Sequence, residues 1–302
     1  MTFRARFRFK LISPLQVDKG APLDLTVPGL GAVTFEMGDE AHPVGHWVVA
    51  KMDGFATEDE ARQAGQRLGD VLLIVGAVAR LGIDVGFGRS TLQFSEAIHA
   101  AVREKTGREL RTETHGLMVY KKDSVSIVGT EARGSLLIGA QAFEGRLVTW
   151  IEPSFALTDR QRNCAALIND SFFLTQTEGQ FILRISAVEA LCDQTVRDAR
   201  YVAAIEVLEQ QLNALAIDGE IHETLKRTLA NAKRESLRQA YMIKFRTLRS
   251  VAEAKAFDSL YNMRSKLVHD GIGRGTLNEA TNSALQLATE LLEADLRADS
   301  IR

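Results

Sequence analysis

All five prolines of the 302-residue chain lie at or before Pro153, and nothing after that position is proline. Proline interrupts both helices and central strands, so a stretch this long without one is free to run as continuous helix. The strand pattern ends at the same place. Before it, helical stretches are interleaved with short apolar runs that alternate with charged residues or are cut by glycine; after it, apolar residues recur only at three and four. The expected fold is therefore α+β in two domains. Residues 1–153 form a mixed α/β domain with a long helix packed on a sheet, and residues 154–302 form an all-α five-helix bundle.

In the first domain, Phe3, Ala5, Phe7, Phe9 and Leu11 alternate with Arg4, Arg6, Arg8 and Lys10. That predicts a strand with one buried face and one cationic face turned to solvent or guarding an edge. A second strand is expected at 45–52 through Trp47. Thr57, Glu58, Asp59 and Glu60 form a capping box before apolar residues spaced for a long helix, from Ala61 to Val78 and ending at Gly82. A helix at 94–105 and strands at 117–120, 124–128, 136–138 and 146–151 follow. The second domain reads as helices at 158–174, 179–215, 219–250, 251–268 and 277–296.

Charge excludes some functions. Lys plus Arg (37) nearly balance Asp plus Glu (39), so no global field draws the chain to nucleic acid or anionic lipid, and a polyanion must be held locally. Cys164 and Cys192 suit a reducing cytoplasm and read as core residues. The longest apolar run, residues 71–79, is far short of the roughly 20 residues that span a bilayer, and the start of the chain has no signal-peptide block. A soluble, cytoplasmic protein without a membrane partner is expected. His42, His46, His99, His115 and His222 share no ligand spacing, and no HExxH, CxxC or Gly-x-Ser-x-Gly occurs, so no metal or cofactor is expected. The glycines at 82, 86 and 88 follow a helix and lack a Gly-Lys-Ser/Thr ending, which makes them a turn.

One pair of side chains stands in a context that constrains both. On a wheel of about 100° per residue, Arg264 falls inside the apolar stripe of Phe257, Leu260, Tyr261, Leu267 and Val268. An unpaired buried guanidinium costs several kcal/mol, so Arg264 needs an acceptor, for which Glu189 is the natural carboxylate with Asp193 one turn on. Asn262, Ser265 and His269 share another arc, His269 lying about 140° from Arg264. Gly271 is expected to stop the helix, placing His269 in the last turn, where the macrodipole favours its protonated form.

The segment Tyr261-Asn262-Met263-Arg264-Ser265-Lys266-Leu267-Val268-His269-Asp270-Gly271 resembles the signature of HEPN domains, and its Arg-Ser-Lys form is similar to the Apea-like branch. Upstream, Phe181-Ile182-Leu183-Arg184-Ile185-Ser186-Ala187-Val188-Glu189-Ala190-Leu191 resembles the first long helix of that branch. The resemblance covers roughly residues 155–302. It implies a homodimer whose two motifs form one cleft for metal-independent RNA cleavage, in microbial defence or a toxin-like stress response. Arg264 would then hold the scissile phosphate and His269 act as general acid or base, with Asn262, Ser265, Asp270 and Glu189 in support. Ser265 stands where many active members carry an amide or acidic residue, so a non-catalytic RNA- or nucleotide-binding or dimerisation module is the alternative. The N-terminal domain would sense a trigger or carry an inhibitory protein or ligand.

Overall fold

A computed structural model of the chain describes residues 2–16, 22–27, 30–37, 44–86, 96–112, 114–128, 138–150, 156–215, 217–270 and 277–299. The fold is α+β: a largely antiparallel sheet in the N-terminal region, followed by helices. Two compact units, Met1–Leu183 and Arg184–Arg302, divide the chain. Pro153 itself lies outside the described residues.

The first unit is organised by its first strand, β1 (Phe3–Gln16). One edge pairs antiparallel with β4 (Val44–Phe55), and outward from β4 lie β3 (Gly31–Met37) and β2 (Leu23–Val27). The other edge takes three short partners in turn. β7 (Gly116–Lys121) runs beside residues 3–8, β5 (Ile83–Asp84) beside Lys10 and Leu11, and β9 (Ile138–Gly139) parallel beside Leu15 and Gln16. β6 (Glu109–Thr112) and β8 (Val125–Val128) form a separate parallel pair, and α2 (Glu96–Thr106) precedes them.

The helix α1 (Glu58–Val78) begins at the expected box: Thr57 Oγ1 accepts from the Glu60 amide, and the Glu60 carboxylate accepts from the Thr57 amide. It covers the face bearing Ala5, Phe7, Phe9 and Leu11, all buried. Glycines let it approach closely. A Cβ added at Gly69 would stand 2.9 Å from the Phe7 ring, and one at Gly76 would stand 2.3 Å from Asn169 Oδ1. Residues 146–151, expected as a strand, belong instead to α3 (Ala140–Trp150), except that position 151 is outside the described residues. Phe143 and Leu147, four apart and fully buried, give the helical period, and Phe143 packs with Phe9 and Phe35.

The cationic face of β1 is not a solvent face. Arg6 and Arg8 are each only 7% exposed, because β1 is an interior strand and its register sets them beside Met118 and Val49, themselves buried. Arg8 stacks its guanidinium 3.7 Å over the Trp47 ring. Arg4 donates two hydrogen bonds to Asp53, at 2.6 and 2.7 Å, and Lys122 joins the same carboxylate at 3.2 Å. Arg4 first of all, then Lys122, holds the Asp53 carboxyl below its usual range against the opposing effect of burial.

The helix α4 (Asp159–Phe173), expected to open the bundle, packs on α1 in the first unit. Arg162 forks onto Asp70 at 2.9 and 2.8 Å. Asn169, buried, donates to the Leu73 and Ala165 carbonyls and accepts from the Ile83 amide. The five expected helices are seven among the described residues. The span 179–215 breaks into α5 (Thr177–Leu191) and α6 (Ala199–Asn213), and 219–250 into α7 (Gly219–Ala232) and α8 (Leu237–Leu248). Asp198 caps α6, and a Ser236–Gln239 capping box starts α8. The two breaks pair with each other: Arg197 donates its amide to the Lys233 carbonyl, and Glu235 donates to Thr195.

The second unit closes with α9 (Val251–Asp270) and α10 (Leu277–Asp299). Tyr241 and Phe245 of α8 pack on Phe257 with ring centroids 4.9 and 5.2 Å apart. Lys244 reaches Asp295 at 2.6 Å, Arg249 bridges Glu253 and Glu290, and Arg184, buried on α5, donates to the Thr281 carbonyl of α10. No described helix is long and apolar enough to cross a membrane, and Cys164 and Cys192 are both buried as expected.

Candidate functional site

The helix α9 is held by its first half. Ala254 and Phe257 are fully buried, and Asp258 accepts the Tyr241 hydroxyl at 2.6 Å and Arg238 Nε at 2.7 Å. Arg238 holds the Asp258 carboxyl below its usual range, burial opposes it, and the Tyr241 hydroxyl adds to the lowering. Burial, and then the neighbouring carboxylate, push the Tyr241 phenol up. Past this anchor the helix emerges. Leu260, Tyr261, Arg264 and Leu267 are half-buried, and Val268 is 48% exposed. The expected apolar stripe is thus a core contact at its start and an open flank at its end.

Each expected site residue occupies this emerging half or the helix upstream. Arg264 is half-buried, and its Nε is enclosed without a hydrogen bond. Glu189, half-buried on α5, does not accept from that Nε. Ser265 is half-buried, while Asn262 and His269 are exposed. Asp270 is the last residue of α9, and Gly271 lies outside the described residues. Four residues lie between Arg264 and His269, and the five steps from one to the other are about 7.5 Å of rise and about 140° of rotation on an α-helix. The two therefore face different directions from one helix.

Chemically, the end of α9 offers a guanidinium whose donor is enclosed but unmatched, and an accessible imidazole in the last turn. A guanidinium forks onto phosphate or carboxylate oxygens, and an imidazole can carry a proton near neutrality. Among the described residues no group of three His, Cys, Asp or Glu is placed to hold a metal ion.

A second polar cluster, on β1, was not assembled from the sequence. Trp47, under the Arg8 guanidinium, meets the His115 ring edge-on at 4.8 Å. His115 Nε2 lies 3.0 Å from the Asp84 carbonyl and 3.4 Å from its carboxylate. Burial, and then the Asp84 charge, raise the Asp170 carboxyl above its usual range. Spacing could not find this group, because positions 8, 47, 84, 115 and 170 meet only through strand pairing and the docking of α4. No protein-family model, curated protein or solved structure matches the chain.

Proposed function

We propose that the second unit acts on RNA as a two-fold homodimer, in the manner the HEPN resemblance implies, with Arg264 as phosphate clamp and His269 as proton carrier. The observation that carries the reading is the enclosed Nε of Arg264, which has no hydrogen bond and is not answered by Glu189. An enclosed guanidinium donor without an acceptor is costly, and the fold tolerates it where a ligand oxygen completes the pair. In a cleft shared by two copies, the Arg264 of one faces the His269 of the other, which removes the conflict of about 140° within a single helix.

Attack of the ribose 2′-hydroxyl on the adjacent phosphorus breaks the bond to the leaving 5′-oxygen. His269 takes the proton from the hydroxyl or gives one to the leaving oxygen, and Arg264 stabilises the charge that grows on the non-bridging oxygens. Defence or a toxin-like stress response in a reducing cytoplasm is the setting, with the first unit as sensor or restraint. Ser265 favours a second reading, in which the same surface holds RNA or a nucleotide without cutting it.

Wild type, Arg264→Ala and His269→Ala are incubated with total RNA in the presence of a chelator. Fragments from wild type alone are expected, each substitution lowering the rate by about 10²-fold or more. Equal cleavage by all three would place the chemistry elsewhere. Retention of labelled RNA by wild type without fragments, lost in Arg264→Ala, would select the non-catalytic reading.

A further inference from the structure

The helices α6 and α7 form an antiparallel hairpin, closed at its base by the pairing of Thr195–Arg197 with Lys233–Glu235 and by Lys233 on Glu209 at 2.7 Å. Both helices are capped by aspartate, Asp198 and Asp218, so each is well formed. What the hairpin lacks is a core. Only Ile205 and Leu212 of α6 are buried, and no residue of α7 is. Five large apolar residues, Tyr201, Leu208, Leu215, Ile221 and Leu225, are instead between 40 and 59% exposed.

Helix geometry places four of them, Tyr201 and Leu208 of α6 and Ile221 and Leu225 of α7, on one side, while Leu215 follows the end of α6 and Val207, 52% exposed, faces about 110° away. On α6, Tyr201 and Leu208 lie about 40° counter-clockwise from the buried pair, viewed from the N-terminus. On α7, Ile221 and Leu225 lie about 70° in the same sense from the half-buried His222 and Leu229. Because the helices run antiparallel, equal rotational senses bring both stripes to the same face. Between them on the helices stand Ala204, Gln211, Thr228 and Ala232, and the Arg197 guanidinium lies 4.5 Å over the Tyr201 ring at one end of the face.

We propose that this face docks on the same face of a second copy of the chain, completing a four-helix bundle. Two amphipathic helices cannot enclose a core alone, whereas two such pairs can. A two-fold contact sets identical surfaces against each other, which a charged face would resist. Here the charge against the stripe is Arg197 at its end, and the hairpin from Arg197 to Arg234 carries six basic and six acidic residues, so copies have no net charge to repel them. The same neutrality disfavours a polyanion or an anionic membrane as occupant. Two helices of about 21 Å side by side offer roughly 400 Å² in projection and more as accessible surface. Two copies thus remove on the order of 1,000 Å², enough for a specific dimer that dissociates on dilution.

The inference does not rest on the RNA reading, since neither Arg264 nor His269 lies on these helices. Sedimentation of the full chain tests it. A concentration-dependent dimer is expected for wild type and for Ile98→Glu, an exposed apolar position on α2. Leu208→Glu and Leu225→Glu are expected to be monomeric with unchanged circular dichroism. The neutral helix formers Leu208→Gln and Leu225→Gln, which keep the proposal testable if the acidic variants misfold, should weaken the dimer about tenfold. A wild-type monomer at all concentrations, or a dimer indifferent to the hairpin substitutions, overturns it. So does a dimer that Ile98→Glu dissociates equally.

Discussion

At the scale of single residues, the fold turns on places where one atom more would not fit. In an open helix, replacing glycine by alanine gains about 1 kcal/mol of propensity. Gly76 sits inside α1, yet a Cβ there would stand 2.3 Å from Asn169 Oδ1 and 2.8 Å from the Ile83 side chain. Relief would have to come from Asn169, which joins α4 to α1 through the Leu73 carbonyl and to β5 through the Ile83 amide. The clash should win, and Gly76→Ala is expected to cost about 1–3 kcal/mol. Gly145 of α3 has nothing within 4 Å of an added Cβ, so Gly145→Ala should be neutral or stabilise by up to about 1 kcal/mol. Urea denaturation of both variants checks the pair, and a stable Gly76→Ala would show that α1 has slack against α4. Arg264 illustrates the complementary case of an enclosed atom without a hydrogen-bond acceptor. Its place in an apolar stripe was legible from spacing, but its exposure was not, because only the first half of α9 meets the core.

Among the elements, the pairing of α8 with α9 fixes the helix that bears the candidate site. Its polar centre is Asp258, held ionised by Arg238 and Tyr241. A carboxylate depressed in the folded state adds stability that is fully present above its unfolded pKa, near 3.9, and is lost as pH falls through the lower folded value. Tyr241→Phe should therefore cost about 2 kcal/mol at neutral pH, and the gap to wild type should narrow in acid as Asp258 becomes protonated. Denaturant titrations at neutral and strongly acid pH measure the gap, and one that ignores pH would mean the phenol acts by packing alone. The same scale explains what the sequence did and did not reveal. The box at Thr57 and Glu60 was readable because an apolar stripe follows it. The box at Ser236 and Gln239 is not legible in the same way, since no glycine or proline marks the break and its partner segment lies about forty residues away, at Thr195–Arg197. Burial of Arg6 and Arg8 was hidden for a like reason: β7, which helps cover them, is more than a hundred residues downstream. The β2–β3 hairpin, with Leu25, Val27, Val33 and Phe35 alternating inward, was available but was masked by its glycine and proline punctuation.

For the whole molecule the question is whether one copy holds a complete site. Arg264 and His269 leave α9 about 140° apart, and no backbone adjustment short of breaking the helix brings them together. If a shared cleft supplies the chemistry, each reacting centre takes its arginine from one copy and its histidine from the other. Arg264→Ala and His269→Ala are then each inactive as homodimers but complementary when mixed. Their heterodimer contains one intact combination and one doubly defective one. Random exchange makes about half of all dimers heterodimers, and half the sites in those are whole, so mixing should restore about one quarter of wild-type cleavage. Recovery requires exchange of subunits, so its rate should follow the first-order dissociation of the dimer, and recovery should be lost when exchange is blocked by cross-linking before mixing. A mixture that stays as inactive as its components, while tagged subunits demonstrably exchange, would mean that both residues serve within a single copy and that the geometry of α9 must change on binding RNA.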